Sequence, residues 1–245
     1  GGRWGWFSPG ILACAGASLA AFAAFFRRQA RVEHPMVDLS LLAIRPLVLG
    51  NLASMFCFMA LLTNAVMLPF FLTHVVNMDA RHAGMVMATL PLCMAFVAPV
   101  SGFASEKISH RLLTSVGMAL TAAGLYSQTL LTADSTMLRC ALGQAVLGVG
   151  FGMFLSPNNN AVLGSAPRAK SGLAGSIMAL VRNFGMASGI ALATAVYEAF
   201  RNDALSRGAQ LLDAFVQGFD ASLTCAAILA VLGVCVCLVR GQGRS

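Results

Sequence analysis

The residues able to do chemistry are few, and their spacing excludes most of the reactions open to them. Four histidines, His34, His74, His82 and His110, stand in loops or at the ends of apolar stretches. None belongs to a His-Glu-x-x-His pattern that would hold zinc. Seven cysteines, at 14, 57, 93, 140, 225, 235 and 237, lie in or beside those stretches with no Cys-x-x-Cys among them. An odd set of thiols in apolar segments makes neither a disulfide framework nor a metal site, and reads as small packing side chains. The lysines, Lys107 and Lys170, sit in polar connections, where neither can form a mid-helix Schiff base. No acidic pair lies within an apolar stretch, so aspartyl or metal-assisted proteolysis has no residues to use. The inventory points away from an enzyme, and it implies no metal and no cofactor.

What the apolar stretches do contain is amide side chains and one cation. Asn51, Thr63, Asn64, Gln128, Gln144, Ser156, Asn158 to Asn160 and Asn183 fall inside them, and Arg182 interrupts an otherwise uncharged run over 171–197. Arg182 lies roughly 15 Å along a helix crossing there, near the centre of a bilayer. Insertion at that depth costs about 2.5–3.5 kcal/mol and is seldom kept without a partner. Arg182 is expected to face a bundle interior or an aqueous cavity. Its partners would be carbonyls or amides at 158–160, or a carboxylate outside this sequence. Two roles stay open: a tie between helices, or a cavity charge that biases transport states. Arg182, Asn183, Asn64, Gln144, Asn158 and Asn159 are the candidate cavity or state-coupling residues. No carboxylate is placed deep, and Glu198 comes only at the outer end of its helix. A proton-carrying acid is therefore expected elsewhere.

Composition dictates the elements that must hold these residues. Of 245 residues, 58% are hydrophobic and 10% charged, and the mean hydropathy is +0.79. A soluble domain carries about 25% charged residues. Charge-free stretches over 4–26, 46–78, 82–105, 112–133, 140–167 and 221–239, with 171–197, are each long enough for a helix to cross about 30 Å of hydrocarbon. Nothing alternates as barrel strands would. The fold class is an all-α membrane protein of seven transmembrane helices, at about 9–26, 47–72, 83–104, 112–132, 137–158, 173–199 and 219–239.

Assigning alternate loops to opposite sides puts ten basic residues on one side, among them Lys107, Arg168 and Arg240, and five on the other. The richer side is expected to be cytoplasmic, with an external N-terminus, a cytoplasmic C-terminus and an outward loop at 201–218. The net charge of +7 is thus a topology signal, and no nucleic-acid partner is expected. The first residue is not Met, and Gly1 to Phe7 reads as the end of a loop. The chain is expected to be the back part of a longer one. Gly148-x-x-x-Gly152 and Gly185-x-x-x-Gly189 put small residues on one helix face, suited to tight packing or, with Pro157 nearby, to bending.

Two connections carry a family resemblance. Gly102-Phe103-Ala104-Ser105-Glu106-Lys107-Ile108-Ser109-His110-Arg111 resembles the G-x-L-a-D-R-x-G-r-R loop of the major facilitator superfamily. Gly102, Lys107 and Arg111 fit, Glu106 stands for the Asp, and Ser109 replaces the second Gly. Such a loop can latch onto a neighbouring helix end and favour one transport state. His34-Pro35-Met36-Val37-Asp38-Leu39-Ser40-Leu41-Leu42-Ala43-Ile44-Arg45 resembles the linker of fourteen-span drug/proton antiporters of the EmrB/QacA subfamily. Collinear agreement continues through Leu68-Pro69, Ala83-Gly84, Pro91, Gly148 to Pro157, Ser171-Gly172, Arg182, Gly185, Gly189 and Gly218-Phe219.

The resemblance implies an eighth-type helix with its outer loop end at 1–26, a cytoplasmic linker at 27–45, a C-terminal six-helix bundle at 46–240 and a cytoplasmic tail at 241–245. It implies two inverted triplets, 47–132 and 137–239. It also implies export of small hydrophobic compounds against protons across a plasma (inner) membrane, with a missing N-terminal half as partner. The alternatives are a carrier of a defined metabolite or siderophore, and an inactive truncated remnant.

Overall fold

Helix ends are written in local chemistry. The computed structural model describes residues 9–29 and 39–240, so the first part of the linker motif, from His34 to Asp38, lies outside the described residues. Among these residues, seven α-helices run as α1 (Pro9–Gln29), α2 (Arg45–His74), α3 (Ala80–Ala104), α4 (His110–Thr129), α5 (Met137–Ser165), α6 (Ser171–Ser206) and α7 (Leu211–Val239). Short 3-10 turns cover Leu39–Ala43 and Arg168–Lys170. Asp79 caps α3 by accepting from the His82 N–H at 3.4 Å, and Thr136 caps α5 by accepting from the Arg139 N–H at 3.3 Å. Pro46 enters the first turn of α2, where a missing N–H costs nothing. Gly208, with φ +83°, reverses the chain between α6 and α7.

Three helices outrun their apolar cores. α5 passes through Pro157 to Ser165 rather than ending at 158, α6 continues to Ser206, and α7 begins at Leu211 rather than 219. The expected outward loop at 201–218 shrinks to four residues, 207–210. Apolarity marks where lipid touches a helix, whereas the backbone ladder continues through Asp203, Asp213 and Gln217 because none of them breaks it. Five helices, α2, α3, α5, α6 and α7, are long and apolar enough to cross a membrane. α4 has the length but less apolarity, because its polar residues point inward. Thr114, Thr121 and Gln128 are fully buried, and the first two donate to their own helix at His110 O and Gly117 O. In α1 the apolar stretch among described residues is Leu12–Ala21.

Residues 1–40 and 41–245 form two compact units. Within the second, side-chain contacts fix the directions. α2 runs antiparallel to α5, with Gly50 opposite Asn158 and Asn64 opposite Gln144. α2 runs parallel to α6, with Met55 at Gly185 and Met59 at Gly189. α3 runs parallel to α5, with Leu90 at Gly148 and Val97 at Gly152. α4 and α7 pack together, with Met118 at Gly233. Exchanging the triplets α2–α4 and α5–α7 maps the α3–α5 contact onto α6–α2 and the α4–α5 contact onto α7–α2. The exchange is incomplete, since α6 also packs along α7. The core holds small residues and stacked rings, including Phe71 on Phe219 at 4.2 Å between centroids. A second cluster gathers Leu41, Leu47, Val162, Ala174 and Ile177 at the end where α2 and α6 begin. α3 and α6 are the least buried spans. Leu92, Phe96, Val100 and Phe103 on α3, and Leu180 and Phe184 on α6, are all exposed.

Candidate functional site

Four polar residues, Asn51, Ser54, Thr63 and Asn64, lie buried on α2, and α5 answers with Gln144 and Asn158. The result is two polar layers separated by 14 residues on each helix, or about 21 Å. In the layer near the α2 C-terminus, the Asn64 amide donates to Gln144 Oε1 at 3.2 Å, and Gln144 Nε2 reaches Met87 Sδ of α3 at 3.7 Å. In the other layer, Asn158 Nδ2 donates to Ser54 Oγ at 2.8 Å and to the Gly50 carbonyl at 3.2 Å. Asn158 Oδ1 accepts from Arg240 Nη1 at 2.7 Å. Buried amides in hydrocarbon are stable only when they find each other, so these layers fix the register of α2 against α5.

Arg240 is a member of this layer that apolar patterning did not single out. The guanidinium lies over Gly50, where an added Cβ would come within 2.9 Å of it. Burial pulls its basicity below the ordinary guanidinium value. In the sequence it looks like one more basic residue after a span. Asp220 was also missed. Because α7 starts at Leu211, Asp220 is in the third turn of that helix, half-buried, with Oδ1 enclosed and without a hydrogen-bond partner among the described residues.

Arg182 is not held by Asn158, whose amide is taken by Ser54, Gly50 and Arg240. It is exposed along the side of α6 and makes no hydrogen bond or ion pair among the described residues. Its Cζ stands 6.0 Å from the centre of the Phe58 ring, and Phe58 is braced edge-on by Phe151 at 5.5 Å. Between these groups opens a cavity of about 170 Å³, lined from α2 by Ser54 and Phe58, from α5 by Leu155, Asn159 and Leu163, and from α6 by Gly175, Met178, Ala179 and Arg182. The structure thus brings Arg182 and Asn159 to one cavity, with Asn158 behind its Ser54 wall. Asn64 and Gln144 are tied together deeper in the bundle. Asn183 is exposed and without a partner among the described residues.

The glycines sit at helix crossings. A Cβ on Gly185 or Gly189 would meet the carbonyl oxygens of Met55 and Met59 at 2.9 and 2.5 Å, and one on Gly148 would meet that of Leu90 at 2.5 Å. A Cβ on Gly152 would lie 3.1 Å from Val97. In the last turn of α3, Gly102 abuts Ser156 Oγ of α5, where a Cβ would lie at 2.8 Å. Glu106, Lys107 and Arg111 are exposed and form no ion pair among the described residues.

The profile of the Major Facilitator Superfamily matches residues 47–242. Over 216 residues the chain is 33% identical to the uncharacterized transporter YebQ of Escherichia coli (strain K12), covering 88% of this chain and 44% of that protein. It is 32% identical over 164 residues to the riboflavin transporter RibZ of Clostridioides difficile (strain 630), covering 67% of this chain and 36% of RibZ. It is 28% identical over 189 residues to the tetracenomycin C resistance and export protein of Streptomyces glaucescens, covering 77% and 36%. The chain spans less than half the length of these relatives. Among solved structures, tetrameric PepTSo2 superposes with a TM-score of 0.68 at 15% identity, over 80% of this chain and 40% of that one. The helices long enough to span a bilayer, their paired triplets and the matched profile lead to one assignment: this chain is a multi-pass membrane transporter protein that belongs to the Major Facilitator Superfamily.

Proposed function

We propose that the chain is the C-terminal half of a fourteen-span drug/proton antiporter, exporting small hydrophobic compounds by alternating access. The cavity between α2, α5 and α6 carries this reading. It is largely apolar, has one cation, one amide and one hydroxyl at its walls, and opens beside helix faces that are exposed. A second bundle carrying its own face of the site, supplied by a preceding N-terminal half, would cover α3 and α6 and complete the pathway. In this reading residues 46–240 are one bundle, joined through the linker at 27–45 to an eighth-type helix at 1–26. The exposed Glu106, Lys107 and Arg111 are free to latch onto that other half.

Charge supports the orientation. Arg45, Lys107, Arg111, Arg168, Lys170 and Arg240 gather with Glu106 at the end where α2, α4 and α6 begin. Arg81, Arg139, Arg201 and Arg207 are offset by Asp79, Asp134, Glu198, Asp203 and Asp213 at the other end. The first end faces the cytoplasm of a plasma (inner) membrane, and so does the C-terminal tail. The proton carrier belongs to the other half, since no carboxylate lines this cavity.

The likeness to RibZ favours a second reading, a carrier of one defined metabolite. Efflux assays on the product of the native locus, in a host deleted for its own exporters, separate the two. The antiporter reading expects extrusion of several unrelated dyes that stops when an uncoupler collapses the proton gradient. Movement of a single metabolite class, or insensitivity to the uncoupler, overturns it.

A further inference from the structure

We propose that the Arg182 cavity binds the anionic group of a flat, largely apolar substrate whose ring lies against Phe58. The proposal deepens the transporter reading and rests on it. Arg182 is the one charged residue lining the cavity, and it has no hydrogen-bond or ion-pair partner among the described residues. A guanidinium with no partner among the described residues, set beside apolar walls, attracts an anion with no neighbouring carboxylate to compete for it. Its planar fork suits a carboxylate, which accepts two parallel hydrogen bonds, and its Cζ already stands 6.0 Å from the centre of the Phe58 ring. The same wall repels a cation, and no carboxylate lines the cavity to compensate.

Around the charge the walls are apolar and adaptable. Met178, Leu155 and Leu163 present flexible or branched aliphatic surface, while Phe58 is 8% exposed and held edge-on by Phe151. A fixed ring opposite movable side chains accepts a flat molecule of variable outline. Asn159, on the α5 wall, offers a neutral donor and acceptor that does not discriminate by charge. The volume, about 170 Å³, is below the roughly 300–1,000 Å³ that encloses a drug-sized ligand. The cavity therefore takes one end of a substrate, the ring bearing its acidic group, and leaves the remainder to whatever faces it. An acidic side chain of a facing bundle offers the same chemistry to Arg182, and the experiment below separates the two sources.

The test uses the product of the native locus in proteoliposomes and three probes sharing one ring system: 2-naphthoate, its methyl ester and 2-naphthylmethylamine. We expect 2-naphthoate to bind at least tenfold tighter than the amine, with the ester between them. Arg182→Gln should remove that order by weakening the acid about tenfold and the ester by less than about twofold. Arg182→Lys should restore part of the preference, which a purely structural defect would not allow. An amine that binds as well as the acid overturns the proposal, as does an acid preference that survives Arg182→Gln. A wild type without charge preference, together with equal loss of all three probes and of membrane abundance in Arg182→Gln, assigns Arg182 to a protein carboxylate and also overturns it. Failure of all three probes in a protein that exports other compounds sinks this inference and leaves the transport reading intact. A protein that moves no compound at all sinks the transport reading itself.

Discussion

Truncating Asn158 would leave the Gly50 carbonyl, the Ser54 hydroxyl and one Arg240 N–H to find new partners inside the bundle. Each orphaned buried group costs about 1–3 kcal/mol. Asn158→Ala is therefore expected to lower the melting temperature in detergent and the amount of protein recovered from membranes. Asn158→Asp keeps an acceptor for Arg240 but loses the donor to Gly50, so its loss should be smaller. Equal melting of both variants and wild type would remove the inner polar layer from the account of stability. Asp79 gives a prediction in pH. Hydrogen bonding from the His82 side chain holds its carboxyl below the usual carboxylate value. A depressed carboxyl contributes stability above the unfolded value and loses it as pH falls through the lower folded one. Carbon-detected titration of labelled Asp79 should give a midpoint below that of a free aspartate, moving up in His82→Ala. A midpoint at the free value discards the His82 contact.

Between helices, carbonyl-to-glycine contact decides how close two axes come. Gly189 touches the Met59 carbonyl, and Thr63 Oγ1 reaches the Gly189 carbonyl at 3.4 Å. A methyl group at 189 meets backbone, which cannot rotate away. Gly189→Ala is expected to push α6 off α2 at a cost of about 1–3 kcal/mol, the range for overpacking. Gly172→Ala, on the same helix with nothing within 4 Å, serves as the control and should melt like wild type. Indistinguishable melting of the two variants would mean that α2 and α6 are not in contact at this crossing. The same crossing carries the cavity, because Phe58 stands one residue before Met59. A shift of α6 should also displace Arg182 from the ring.

For the whole molecule, the consequences concern sidedness and completeness. With the basic end of the bundle in the cytoplasm, a cysteine placed at Ser109 in an otherwise Cys-free protein should resist an impermeant thiol reagent in intact cells. One placed at Ser206 should react. The reverse pattern inverts the topology. The shortened α6–α7 connection makes Ser206, beside the turn at 207–210, a better reporter than sites farther into either helix. The 245-residue chain expressed alone is expected to confer no drug resistance, because rocking access needs two bundles about one site. Resistance from this chain by itself, in a host without its own exporters, would contradict that requirement.

Membrane class, element order and the isolation of Arg182 were legible from the sequence, because each is a property of neighbouring residues along the chain. Lipid imposes length and apolarity on every span. A lone cation or a glycine repeat stands out against such a background without reference to anything distant. Helix ends were less legible, since polar residues at 201–218 continue a backbone ladder that does not need lipid. The pairing of side chains was not legible at all. Asn158 reaches Gly50 across 108 residues of sequence, and its capture by Arg240 rather than Arg182 follows from the rotation of α7 and α6 about their axes. The inward polar face of α4, the enclosed oxygen of Asp220 and the seat of Arg182 over Phe58 arise the same way. They depend on which face each helix turns to its neighbours, and only the close approach of several distant helices fixes that.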